Sequence, residues 1–273
     1  MIKLSKYLYV HVLTVILFVV CIVTGTVNVL LVTYAVMFLH EMAHTLAAVC
    51  IGLKVSHITI YPFGVNLKLK NKLIYSISDE VILYISGPMC NAVFALVSAW
   101  LYKFYPESNL QFFYMSNITL FVMNMLPALP LDGGFVMKKV LPRIFRHGIS
   151  NKIMLVVTGT VSIAILAMGV YVLAMSRYNF SVILFSVLII GNMFTGQEKY
   201  DVDFVKELMF HTKKKPNKIN HVITEKTDYR DIIKQFDLNR YNVVYLADKN
   251  GKITDIMTEK QIISQLVDTN ITS

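Results

Sequence analysis

A chain of 273 residues that is 55% hydrophobic and 16% charged, with a mean hydropathy of +0.57, departs from ordinary soluble domains, which carry about 25% charged residues. A single water-soluble globule is excluded. The net charge of +9 divides unevenly: residues 1–197 hold 13 basic and 5 acidic side chains, and residues 198–273 hold 13 and 12. A charge-poor basic part followed by a charge-dense balanced one reads as a membrane domain over residues 1–197 and a small soluble domain behind it. No nucleic-acid partner is needed to account for the basic balance. Cys21, Cys50 and Cys90 lie in apolar stretches without metal-type spacing, which predicts buried, unpaired thiols.

Six apolar stretches follow one another, at residues 7–23, 29–51, 81–101, 110–126, 153–175 and 180–194. Several approach the roughly 20 residues that a spanning helix needs. The first follows Lys3 and Lys6 and is read as an uncleaved span. Six spans place both termini on one side. With that side inside, the inner segments hold eleven basic residues and the outer loops only Lys103 and Arg177, so both termini are expected in the cytoplasm.

The second stretch contains His40-Glu41-Met42-Ala43-His44. Histidines at i and i+4 share one face of a helix, one turn apart, so both imidazoles can reach one metal. A glutamate between them is placed to take a proton from metal-activated water. An ionisable side chain at mid-bilayer costs about 2.5–3.5 kcal/mol on insertion scales, so such groups usually mark function. Between the second and third stretches, residues 56–75 alternate apolar and polar around Pro62-Phe63-Gly64. That period of two predicts a β-hairpin at the cytoplasmic interface.

A catalytic zinc site normally takes three protein ligands, so a third must come from elsewhere at membrane depth. The other acids of the first 197 residues are Asp79, Glu80, Glu107 and Asp132, and the first three border the third or fourth stretch. Asp132 ends the run Asn124-Met125-Leu126-Pro127-Ala128-Leu129-Pro130-Leu131-Asp132-Gly133-Gly134. Prolines and glycines break the fourth helix there, and broken backbone at depth must face protein or a water cavity. Asp132 is the natural third ligand. Asn124 has two readings, a hydrogen bond to a substrate backbone or glue between helices.

In the last part, Tyr200, Phe204 and Leu208 fall at helical spacing ahead of Lys213-Lys214-Lys215-Pro216, a linker over residues 198–217. Residues 218–273 then read strand, helix, strand, strand, helix. Asp248-Lys249-Asn250-Gly251 forms a hairpin turn, and Thr258 with Gln261 forms a capping box.

The combination of HEMAH in an early span with NMLPALPLDGG in a later one resembles the site-2 protease family of intramembrane zinc metalloproteases. The resemblance implies one zinc per chain on His40, His44 and Asp132, with Glu41 as base and Asn124 contacting substrate. Ser86-Gly87-Pro88 and Asn91 resemble the family's GPxxN element, where a small kinked helix lets core helices approach. Ala43 departs from the glycine that many members carry. The expected fold is an α-helical polytopic membrane protein, with six transmembrane helices and a membrane-associated β-hairpin, plus a small α/β CBS-like cytoplasmic domain.

The six spans and short tail resemble the sporulation branch of the family. That implies a bacterial cell membrane protein at the mother-cell membrane around the forespore. It also implies a sigma-factor precursor as substrate and membrane-protein inhibitors as partners. Other members act on other membrane substrates such as anti-sigma factors, and a CBS-regulated transporter is the rival from another class. The tail, with GKITDIMTEKQII, resembles one CBS repeat. A single repeat implies a homo-oligomer and a pocket for ATP or another nucleotide, but Gln261 stands where nucleotide-binding repeats often place an aspartate.

Overall fold

Length sorts the apolar segments into two classes. In a computed structural model the described residues are 2–3, 8–10, 12–61, 64–70, 77–176, 182–191, 204, 208, 218–225, 228–248 and 252–271. Among them, three helices are long and apolar enough to cross a membrane: α2 (Val27–Cys50), α3 (Ile77–Tyr102) and α6 (His147–Ser176). At 1.5 Å per residue, the 24 residues of α2 span about 36 Å, enough for a hydrocarbon core of about 30 Å. Helix α1 (Val12–Val23) has 12 residues and spans only about 18 Å. The other helices before the tail are α4 (Ser108–Met125), α5 (Asp132–Ile144) and α7 (Val182–Gly191).

The chain forms two units, Met1–Leu126 with Leu131–Val136, and Pro127–Pro130 with Met137–Ser273. In the first, strands β1 (Ile2–Lys3), β2 (Leu8–Val10), β3 (Lys54–Tyr61) and β4 (Gly64–Lys70) make a sheet in that order. The expected hairpin is β3–β4, antiparallel, with Ile58 opposite Leu67 and Ile60 opposite Val65; its turn at residues 62–63 lies outside the described residues. Strand β2 runs parallel to β3, so Leu8–Val10, expected as the start of a first span, is extended instead. An apolar run of that length reads equally as strand or helix, and the pairing that decides it is 50 residues away.

Helix α2 hands over to β3 through a glycine. Gly52 has φ of +84°, Leu53 N–H donates to Ala48 O at 2.8 Å, and Gly52 N–H donates to Val49 O at 2.9 Å. This Schellman closure satisfies the last carbonyls and turns the chain within two residues.

In the second unit, β5 (Ile219–Thr224) pairs parallel with β6 (Tyr241–Ala247), and β6 pairs antiparallel with β7 (Ile253–Thr258). Helices α8 (Tyr229–Ile233) and α9 (Glu259–Ile271) accompany them. Their core gathers Val222, Ile232, Phe236, Val244 and Ile262 with Phe204 and Leu208. The rest of residues 198–217 lies outside the described residues, as does the turn at 249–251. Half of the capping box is present: Gln261 Oε1 accepts from Thr258 N–H at 2.8 Å, and the Thr258 hydroxyl donates to the same oxygen at 2.9 Å.

Candidate metal centre

Helix α2 carries a stripe at intervals of four, Val36, His40, His44 and Ala48, of which Val36, His40 and Ala48 are buried. That spacing follows from 3.6 residues per turn. It brings His40 Nε2 within 3.1 Å of His44 Nε2, the rings edge-on at 86°. Asp132 is the first residue of α5, just past the break that ends α4 at Leu126. Its Oδ2 lies 3.2 Å from His40 Nε2 and 3.3 Å from His44 Nε2. The side chains are 7%, 12% and 15% exposed, so the site is enclosed without being sealed.

Two glycines permit the close approach. A Cβ on Gly87 would strike His44 Nε2 and would sit 2.7 Å from His40 Cε1, so α3 forms a bare floor under both imidazoles. A Cβ on Gly133 would strike Met125 O and sit 2.7 Å from Leu126 O. The start of α5 can therefore press on the end of α4, which sets the place of Asp132.

The remaining hydrogen bonds decide which atoms face inward. His44 Nδ1–H donates to Leu83 O at 2.7 Å, with Ser86 Oγ 3.2 Å from the same nitrogen. The Ser86 hydroxyl itself donates to Leu83 O at 2.7 Å. A proline at 88 supplies no N–H to the helix ladder, and it stands next to this heavily used turn. His40 Nδ1–H donates to Asn91 Oδ1 at 2.5 Å. A carbonyl and an amide oxygen can only accept, so each imidazole has its proton on Nδ1, and in the neutral ring the lone pair is on Nε2.

With both rings neutral, two lone pairs and a carboxylate oxygen converge, and Asp132 Oδ2 is buried without a hydrogen-bond partner. Such a set is electrostatically incomplete without a cation. The separations of 3.1–3.3 Å match the roughly 3.3 Å between neighbouring ligands of a tetrahedral ion with bonds of 2.0–2.1 Å. The residues fit zinc.

Peptidase family M50 matches residues 28–109 and 103–169, a span that holds the whole cluster. The chain belongs to peptidase family M50, the site-2 protease family. It is 25% identical over 114 residues to stage IV sporulation protein FB of Bacillus subtilis, covering 41% of this chain and 39% of that protein. It is 29% identical over 159 residues to the Synechocystis protein sll0528, whose name assigns it provisionally to the zinc metalloproteases, covering 54% and 41%. The matches thus span about two fifths of the length of these curated relatives. The site-2 protease from Methanocaldococcus jannaschii shares the fold, with a TM-score of 0.52 at 22% identity over 71% of this chain and 93% of that one. The resemblance read from the two motifs is borne out at the level of the family.

Among the residues singled out from sequence, the M50 fold brings together His40, His44 and Asp132. Glu41 sits between the two histidines, partly buried and within electrostatic reach of all three ligand candidates. Asn124 donates from Nδ2 to Leu120 O on its own helix at 3.0 Å and is not part of the cluster. Sequence reasoning did not find Asn91 as the partner of His40, nor Leu83 O and Ser86 as partners of His44. A polar amide inside an apolar helix was the available signal for Asn91.

Proposed function

We propose that the protein is an intramembrane zinc metalloendopeptidase that hydrolyses a peptide bond of a membrane-associated substrate. The observation that carries this reading is the convergence of His40 Nε2, His44 Nε2 and Asp132 Oδ2, all bare acceptors, beside Glu41 on an apolar helix. His40, His44 and Asp132 would hold the ion. Zinc, when bound, supplies Lewis acidity, which brings the pKa of water towards about 7 and draws charge from a carbonyl. Glu41 takes the proton given up by water and returns it to the leaving amine, the role its place between the ligands suits. Asn124 offers a hydrogen bond to the substrate backbone. A helical substrate must unwind before a carbonyl is accessible, and β4, at the edge of the four-stranded sheet, suits the capture of an extended segment.

The wider reading is that six segments span a bacterial membrane with both termini cytoplasmic, as eleven inner against two outer basic residues favour. Residues 218–273 form a CBS-like domain that brings copies of the chain together, and Gln261 stands where nucleotide-binding repeats often place a ribose-holding aspartate. The similarity to a protein named for stage IV sporulation supports a sporulation role. The substrate is then a sigma-factor precursor at the mother-cell membrane around the forespore, and membrane proteins act as inhibitors.

The test is metal analysis and cleavage of a co-expressed membrane-tethered substrate by wild type, Glu41→Gln and Asp132→Ala. Glu41→Gln should keep zinc and lose activity by about 10²–10⁴-fold, the range of general base catalysis. Asp132→Ala should lose zinc. Cleavage by Glu41→Gln at the wild-type rate would overturn the mechanism, and full zinc occupancy in Asp132→Ala would remove that residue from the site.

A further inference from the structure

Behind His40 runs a chain of two asparagines that the proposed reaction does not use. His40 Nδ1–H donates to Asn91 Oδ1 on α3, Asn91 Nδ2 donates to Asn117 Oδ1 on α4 at 2.9 Å, and Asn117 Nδ2 donates to Phe113 O at 2.9 Å. Asn91 and Asn117 are both 0% exposed, so water cannot substitute for either partner.

An amide side chain has one accepting end and one donating end, and a free amide can flip. Here the direction is dictated from the far end. Phe113 O only accepts, so Asn117 must turn Nδ2 to it and Oδ1 to Asn91. Asn91 must then turn Nδ2 to Asn117 and Oδ1 to His40. Neutral His40 is left one choice, a proton on Nδ1 and a bare Nε2 facing His44 and Asp132. Were Asn91 to flip, its Nδ2 would face His40 and favour the tautomer that carries a proton on Nε2, which cannot bind a metal.

We infer that Asn91 and Asn117 are positioning residues, and that Asn117, on a helix supplying no ligand, sets the tautomer of His40 through Asn91. The inference rests on the zinc-centre reading above. On a structural view Asn117 would merely glue α4 to α3.

A double-mutant cycle separates the two, read by zinc affinity in chelator competition on the full-length protein. Asn117→Leu frees Asn91 to flip and should weaken zinc about 10–100-fold, the usual cost of losing a partner behind a ligand. Asn91→Asp offers His40 an accepting oxygen whichever way it turns, so adding Asn117→Leu in that background should change zinc affinity less than twofold. Equal losses in both backgrounds, or none in either, would overturn the proposal. A second readout needs neither metal nor the aspartate: nitrogen-15 shifts of histidine in metal-free protein should report Nδ1–H for His40 in wild type and a tautomer mixture in Asn117→Leu. An unchanged Nδ1–H tautomer in Asn117→Leu would also overturn it. Wild type that bound no zinc while its His40 tautomer still depended on Asn117 would refute the metal reading and leave the relay standing.

Discussion

The sharpest consequence of the site's construction concerns a residue that supplies no ligand. In Gly87→Ala the added methyl carbon would sit 2.6 Å from His44 Cε1 and 2.7 Å from His40 Cε1, and closer still to His44 Nε2. Ordinary contact begins near 3.4 Å, so both rings must retreat by about 0.7 Å or more. They have little room to do so. His44 is tied through Nδ1 to Leu83 O on the same helix as residue 87, and His40 to Asn91 one turn beyond it. Functional geometry generally tolerates about 0.5 Å of error. The expected result is zinc affinity lower by about 100-fold or more, above the 10–100-fold of losing a partner behind a ligand. Folding should fall by about 1–3 kcal/mol, the range for overpacking. Chelator competition measures the first and thermal unfolding of metal-free protein the second. Gly191→Ala is the control, because nothing lies within 4 Å of its added carbon. Wild-type zinc affinity in Gly87→Ala would refute the claim that α3 forms the floor of the site.

The remaining predictions follow the same logic. Gly133→Ala would drive a methyl group into Met125 O and Leu126 O; zinc should weaken with Asp132 displaced, and proteolysis near residue 126 should quicken. In the tail, buried Glu259 Oε2 accepts from Asn242 N–H at 3.0 Å and from Asn242 Nδ2 at 2.8 Å. Asn242 Nδ2 also donates to Asp237 O and Arg240 O, so Glu259→Ala should cost about 1–3 kcal/mol by stranding the Asn242 N–H, whereas Glu259→Gln keeps an acceptor. Burial pushes the Glu259 carboxyl above its ordinary value of 4.5 despite the two Asn242 donors that pull it down. A raised acid contributes stability that is full below the unfolded pKa and is lost as pH rises through the folded one. Hydrogen exchange in β6 and α9 should therefore show wild type losing protection relative to Glu259→Gln as pH rises from the mid-4s upward, and identical pH profiles would refute it.

What the sequence revealed and concealed divides along the distance between partners. His40 and His44 were legible because their relation is local: any helix puts i and i+4 on one face. Asp132 was legible by a different route, since few acids stand in the membrane part and only this one follows a helix break. The bonds from Leu83 O, Ser86 and Asn91 to the histidines join positions 39 to 51 residues apart. Nothing periodic announces them. Nor does Asn117 stand out, since a lone amide in an apolar helix serves packing as readily as positioning. The strand at Leu8–Val10 was read as helix for the same reason, because its partner is β3.

The arrangement also binds metal to folding. At membrane depth every polar group must be satisfied within the protein, because lipid offers no partner. Around this site the donors all point outward, to Leu83 O and along Asn91 and Asn117, and the acceptors all point inward. That polarity is useful only if a cation occupies the middle. With both histidines neutral and no cation, three electron-rich atoms face each other across 3.1–3.3 Å where low dielectric magnifies their repulsion. The metal-free protein should relieve this by separating Asp132 from the histidines, and the start of α5, which follows the break after α4, can shift without bending a helix. Chelation should therefore raise hydrogen exchange first at residues 131–136 and only later in α2. Uniform loss of protection across both helices would mean that the donors, not the ion, hold the site together.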